Sequence, residues 1–150
     1  MAEQNESYFE TEIQWVSERK GRLQAKGLPS IAVDAPPEFK GKGQGWSPEH
    51  LLVGSVNSCL MLTFLAIAEN SKLDLVSFSS AAAGKLEKVE GAGYQITEIV
   101  IKPKIVVASP QVTARVPRML EKAKENCFVS NSIKSSLKVE AEIQHQEKQS

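Results

Sequence analysis

Two cysteines, Cys59 and Cys127, and a Ser47-Pro48-Glu49 run upstream of the first are the residues whose types and spacing could do chemistry. A thiol of ordinary pKa, about 8.5, is a weak nucleophile at neutral pH, because only a few per cent of it is ionised. A thiol that is helped to ionise can attack electrophilic oxygen, and a second thiol can then close a disulfide on it. Each cysteine also has a simpler reading. Cys59 sits in Asn57-Ser58-Cys59-Leu60-Met61, mid-helix, where a free cysteine packs as a small hydrophobe. Cys127 precedes Phe128-Val129-Ser130 at an expected helix start, where free amides stabilise a thiolate as attacking or leaving sulfur. Taken alone, these residues leave inert packing and redox chemistry both open.

Composition removes other classes of chemistry. The chain has 18 Lys+Arg and 18 Asp+Glu, for a formal net charge of zero. A duplex nucleic-acid binder needs a basic face to neutralise phosphates, so nucleic acid is not an expected partner. Zero net charge also gives little protection against self-association. Two cysteines are too few for a secreted disulfide scaffold or a Cys-rich zinc site. The two histidines, His50 and His145, have no ligand-like spacing, and no metal is expected. Met1–Glu12 carries Glu3, Glu6, Glu10 and Glu12 and no base, unlike a secretory signal. A cytoplasmic protein with one domain over residues 1–150 is expected.

The elements that must position the thiols follow from patterning. Tyr8–Val16 alternates, with Phe9, Thr11, Ile13 and Trp15 on one side, and predicts a half-buried strand. Arg22–Ala25 and Ile31–Val33 read as short strands, and Asp34–Gly45, with its prolines and glycines, as a loop. Ser47-Pro48-Glu49 starts a helix: a capping serine, a proline at the first position and an acid at the positive end of the dipole. That helix runs to Glu69 or Asn70. Its uncharged stretch Leu51–Ala68 has the length of a membrane span, but Gly54, Ser55, Asn57, Ser58 and Thr63 interrupt it. A buried core helix is expected instead, with no membrane. Val76–Ser80 and Lys85–Glu90 give one long strand or two short ones. A turn at Gly91-Ala92-Gly93 leads into a strand over Tyr94–Val107. Pro103 predicts an edge position or a bulge. Ser109–Glu125 is mostly helical, with Pro117 either kinking it or lying in its first turn after a Thr113 cap. Leu137–Gln144 alternates as a final strand. The order is α+β with mostly antiparallel pairing. A helix apolar on most sides needs cover that one small sheet does not give, and a second copy of the chain is the simplest source.

With these elements in place, the motifs resemble a family. Ser47-Pro48-Glu49 followed by Cys59 in a small-residue helix, and Lys122-Ala123-Lys124-Glu125-Asn126-Cys127-Phe128-Val129-Ser130 before an alternating last strand, resemble the OsmC/Ohr superfamily of organic hydroperoxide reductases. The resemblance covers about residues 8–146. It implies an OsmC-like fold, with antiparallel sheets wrapped around long central helices in an intertwined homodimer. It also implies a peroxidase for alkyl or lipid hydroperoxides in oxidative stress defence. Cys59 would be the attacking thiolate and Cys127 the resolving thiol. A lipoyl protein or similar dithiol would be the reductant, and no cofactor would be needed.

A buried thiolate needs a compensating charge, preferably an arginine held by a carboxylate. The family uses such a pair, and Glu49 matches its carboxylate. Ten residues of one helix separate Glu49 from Cys59, about 15 Å. The expectation is therefore that the partner copy's Glu49 serves Cys59. Of four arginines, Arg19 in Arg19-Lys20-Gly21 resembles the Ohr-branch turn, and Arg22 is the second choice. The chain departs from that branch in having Ser17-Glu18 where two glycines are usual. It departs from the OsmC branch in having Lys40 and Lys42 where the later arginine lies. His50 and His145 are expected at the surface. Trp46, Phe39, Met61, Phe64 and Phe128 could line an apolar pocket or simply pack. The alternatives are a non-catalytic ligand-binding or redox-sensing member of the fold, and a protein whose cysteines are inert.

Overall fold

The structure, a computed structural model, describes residues 5–146. It divides into two compact units between Leu51 and Leu52.

The first unit is an antiparallel sheet, β1 (Glu12–Ser17), β2 (Lys20–Gln24) and β3 (Ile31–Val33), in that order. The β1–β2 turn is Glu18-Arg19, and Glu18 takes a left-handed φ of 53°. Trp15 Nε1 donates to the Glu18 carbonyl at 3.0 Å, and the Glu18 carboxylate pairs with Lys42 at 2.9 Å. The half-buried strand expected from Tyr8 is corrected here. β1 starts at Glu12, and all its residues are exposed. Alternation assigns Ile13 and Trp15 to one face but supplies no layer to cover them. The loop after β3 contains a single 3₁₀ turn, Pro37–Phe39. It is held by buried Asp34, whose Oδ2 accepts from the Lys42 and Gln44 amides at 3.3 and 3.1 Å.

Helix α1 (Pro48–Asn70) begins as its sequence dictates. Ser47 Oγ accepts the His50 amide at 3.1 Å, which satisfies one of the free N–H groups of the first turn. Val56, Leu60, Phe64 and Ala68 form its buried stripe, recurring at the spacing that stacks side chains on one face. By length and composition α1 could also cross a membrane.

The second unit supplies the surface under that stripe. β4 (Leu75–Val89) and β5 (Gly93–Val107) form a long antiparallel hairpin. β6 (Ser136–Val139) and β7 (Glu142–His145) both pair with the far side of β5 in parallel. The single last strand expected is thus two, and its pairing is not antiparallel. Pro103 is also corrected. It lies inside central β5, opposite Ser80, where the partner strand breaks between the Ile101–Val139 and Lys104–Glu142 pairs. The bulge-like register shifts lie elsewhere, at Leu75/Ser77 and Lys85/Leu86.

Two helices follow β5: α2 (Pro110–Thr113) and α3 (Val116–Glu125). Thr113 does not cap α3. It ends α2, its hydroxyl donating to the Pro110 carbonyl at 2.7 Å, and Pro117 lies in the first turn of α3. Val116, Met119, Leu120 and Ala123 give α3 one buried stripe, which joins Leu60, Phe64 and Ile101 in a single core. Asn57 ties α1 to β4, its Nδ2 donating to the Ser80 carbonyl at 3.1 Å.

Close approach of helix and hairpin depends on Gly84 of β4. A Cβ there would meet Val53 Cγ2 at 2.5 Å, so an added methyl must push the helix away. Gly84→Ala is expected to destabilise by about 1–3 kcal/mol in urea unfolding. Val53→Ala combined with it should return part of that loss, and two purely additive losses would count against this packing.

Candidate active site

Cys59 lies mid-way along α1, next to the buried stripe, and is half-buried; Cys127 is fully buried, and both are free thiols. The chain reaches Cys127 through a sharp stop. Asn126 ends α3 with its amide and its Nδ2 both donating to the Lys122 carbonyl, at 3.1 and 2.8 Å. The backbone then makes one tight helical turn. The Asn131 amide donates to the Cys127 carbonyl at 3.0 Å, and Ser130 Oγ donates to the same oxygen at 3.1 Å. The helical segment expected to begin near Cys127 is this turn, with a 3₁₀ piece at Ser130–Ser132.

The turn brings the two thiols together. Burial works to raise the Cys59 thiol, while the Cys127 thiol, the Val129 amide, the Thr63 hydroxyl and the Phe128 amide act to lower it. Together these outweigh burial and hold Cys59 below the ordinary thiol range. Cys127 is displaced the other way. Burial pushes it up, and the hydrogen bond it donates to Cys59 raises it further; contacts with Ser130 offset only part of this. The two thiols are therefore displaced in opposite directions.

The other expected site residues belong to the first unit. Arg19 is exposed at the β1–β2 turn, and Arg22 is exposed on β2. Glu49 is in the first turn of α1, and its Oε2 is buried without a hydrogen-bond partner among the described residues. No ion pair joins Arg19 to Glu49 among the described residues; the pairs of this unit are Glu18 with Lys42 and Lys20. Arg115 is engaged elsewhere, donating to the Ser71 carbonyl at 2.8 Å. The groups that lower Cys59 within one chain are the Cys127 thiol, the Val129 and Phe128 amides and the Thr63 hydroxyl. Sequence reasoning did not single out Thr63 or the Phe128 and Val129 amides for this role. Thr63 had a usable signal, since it lies one helical turn beyond Cys59.

Of the aromatic and apolar residues considered as pocket lining, Phe64 is core, with its ring 5.6 Å from that of Phe78. Phe128, beside the buried thiol, is 83% exposed. His50 is exposed, with Nδ1 2.7 Å from Ser47 Oγ, and His145 is exposed on β7.

The OsmC-like protein family matches residues 41–142. The uncharacterized protein YmaD of Bacillus subtilis is 24% identical over 140 residues, covering 90% of this chain and 92% of its own. An OsmC-like protein of unknown function, VCA0330 from Vibrio cholerae, superposes with a TM-score of 0.84 at 24% identity, covering 91% of this chain and 99% of that one. An organic hydroperoxide resistance protein from Elizabethkingia anophelis superposes at 0.75 with 16% identity, covering 95% of this chain and 100% of that one.

The opposite displacements of the two thiols are measurable. In reduced protein near neutral pH, iodoacetamide is expected to label Cys59 faster than Cys127, read by peptide mass spectrometry. The Cys59 profile should rise below the ordinary thiol range and the Cys127 profile above it. Equal labelling of the two at all pH values would refute the asymmetry.

Proposed function

The chain belongs to the OsmC-like protein family, and we propose that it is a thiol-dependent peroxidase that reduces organic hydroperoxides to alcohols. The observation that carries this reading is the pair of free thiols, Cys59 half-buried on α1 and Cys127 buried just after α3, which act on each other in opposite directions. The family match and the likeness to hydroperoxide resistance proteins support the substrate class.

The chemistry balances on two sulfurs. The Cys59 thiolate attacks the terminal oxygen of the hydroperoxide. The O–O bond breaks, the alkoxide leaves with a proton as the alcohol, and Cys59 becomes a sulfenic acid. The Cys127 sulfur then attacks the Cys59 sulfur; an S–S bond forms and the oxygen leaves as water. A dithiol reductant, a lipoyl protein or similar, supplies two electrons and two protons to restore both thiols. The sulfur carries the whole redox change, so the mechanism calls for no metal or organic cofactor.

Glu49 enters as the holder of a cation. A carboxylate oxygen shielded from water and unpaired among the described residues calls for a donor. In this reading an arginine, Arg19 or Arg22, fills that need and adds its charge to the hydrogen bonds at Cys59. Glu49 and Cys59 are ten residues apart on α1, so the site is completed by a second copy of the chain. The protein then works as a cytoplasmic homodimer of one OsmC-like domain.

The test is steady-state reduction of cumene hydroperoxide with dihydrolipoamide. Cys59→Ser is expected to lose turnover, by a hundredfold or more on the scale of lost nucleophiles. Cys127→Ser should retain one rapid turnover and stall at the sulfenic acid. Equal steady-state rates for wild type and Cys59→Ser would sink the proposal, and disulfide formation without turnover would point to a redox sensor instead.

A further inference from the structure

We infer that Lys42 is a positioning residue for Arg19: gripped at its amide by Asp34 and at its ammonium by Glu18, it locks the β1–β2 turn on which the arginine stands. The inference rests on the proposed reading for what Arg19 does at Cys59. The lock itself belongs to the first unit and stands apart from that reading.

The turn is one that needs holding. Glu18-Arg19 is the two-residue loop between Ser17 and Lys20, which face each other across β1 and β2. Glu18 has a φ of 53°, a left-handed conformation that glycine adopts freely and a residue with a Cβ adopts at a cost. Such a conformation persists where its surroundings fix it. Three contacts do so here. Trp15 Nε1 donates to the Glu18 carbonyl at 3.0 Å. Lys42 Nζ lies 2.9 Å from Glu18 Oε2, and Lys20 Nζ lies 4.0 Å from Oε1. The hydrogen bond and charge of Lys42 hold the Glu18 carboxyl below its ordinary range, so the pair is ionised at neutral pH.

An ion pair between two exposed side chains contributes little when both are loose. Lys42 is anchored. Asp34 is buried, and its Oδ2 accepts the Lys42 and Gln44 amides at 3.3 and 3.1 Å. The ends of the loop are tied as well. The Asp34 amide donates to the Trp46 carbonyl at 3.1 Å, and the Trp46 amide to the Ala32 carbonyl at 2.9 Å. Inside the loop, Gly41 lies so close to Ala35 that an added Cβ would sit 1.7 Å from the Ala35 carbonyl oxygen. The Lys42 backbone is thus fixed before its side chain reaches out, and only the side chain has freedom to lose. Arg19 has no ion pair of its own among the described residues, so the turn sets where its guanidinium starts from. A chain of contacts runs from buried Asp34 through Lys42 and Glu18 to the backbone of Arg19. Lys42 is committed to Glu18 and serves the arginine rather than replacing it.

Two readouts on the full-length protein test this: hydrogen exchange of the peptide spanning the β1–β2 turn, and the pH dependence of iodoacetamide labelling at Cys59. Lys42→Met and Glu18→Gln each remove the pair and leave Asp34 in place. Each should speed exchange at the turn about two- to fivefold, the range of a surface ion pair. Lys42→Arg keeps the charge and should follow wild type. Lys42→Met and Glu18→Gln should also move the Cys59 profile to higher pH. Labelling below the midpoint should slow about two- to threefold, against up to about tenfold, one pKa unit, for Arg19→Met. Added to Arg19→Met, Lys42→Met should move the profile no further, because it acts through the arginine. Unchanged exchange in Lys42→Met overturns the inference. So does a Cys59 profile that Arg19→Met moves and Lys42→Met does not, or one on which the two effects simply add. An Arg19→Met profile that overlays wild type, with exchange still faster in Lys42→Met, defeats the role given to Arg19 and the positioning with it. Wild type that labels as expected but does not turn over hydroperoxide defeats the peroxidase reading alone.

Discussion

In the proposed reading a half-buried sulfur must carry negative charge, and that is the constraint on which the second unit depends. Burial alone drives Cys59 toward its neutral form. Hydrogen bonds to a charged group contribute roughly 1.5–3 kcal/mol each in proteins, with sulfur acceptors at the weak end, so no single donor is sufficient. Several must converge, and they come from two segments far apart in sequence. Thr63 rides on α1, while Cys127, Phe128 and Val129 ride on the turn after α3. The packing of α3 is what fixes that turn. Its Val116, Met119, Leu120 and Ala123 stripe locks into the same core as Leu60 and Phe64, and Asn126 ends the helix one residue before the thiol. A helix that slid by one turn would carry the amides about 5 Å from the sulfur and leave it an ordinary buried cysteine.

The parts of this arrangement that were legible in the sequence are those written in side-chain chemistry. Ser47-Pro48-Glu49 marks the start of α1 to the residue, because capping needs particular atoms. The Gly91-Ala92-Gly93 turn marks the β4–β5 hairpin, and Gly91 and Gly93 do take positive φ. The pairing of Cys59 with Cys127 was reached through resemblance rather than spacing, since residues so far apart carry no geometry by themselves. What failed is also physical. Period-two patterning names the face of a strand but not its neighbour or direction. β6 and β7 therefore read as one strand, and β1 as half-buried where its unit supplies no cover. Pro103 reads as an edge position or a bulge because its missing N–H is forbidden in an unbroken ladder; the gap between β6 and β7 makes room for it in a central strand.

The expectation of an arginine beside Cys59 stays a proposal, since a second copy of the chain would complete that site. It assumed that only a charge can offset burial. Backbone N–H groups do the same work and are present at every residue except proline, so they leave no mark in the sequence. Only the fold can bring the Phe128 and Val129 amides to bear on Cys59. Thr63 was legible in principle, four residues beyond Cys59, but threonine inside a helix usually bonds its own backbone. The Oε2 of Glu49 is buried and unpaired among the described residues, and the proposed reading gives it a cation. In the proposed reading, hydrogen bonds set a baseline of thiolate, and an arginine from a second copy adds to it.

One hydrogen bond sorts the two thiols into roles. Cys127 donates to Cys59, and the same contact lowers one thiol and raises the other. A symmetric pair would let either sulfur meet an oxidant first. Here the deeper thiol is displaced upward and the more accessible one downward, and the proposed reading makes the latter the nucleophile. The donor's lone pairs stay beside the atom that is about to be oxidised. In the proposed mechanism Cys59 gains an oxygen and becomes electrophilic. Cys127 no longer faces an anion at that point, so one of the two influences that raised it is gone and only burial remains. The thiol that stabilised the attacking sulfur is then released to resolve it, without either residue crossing the core.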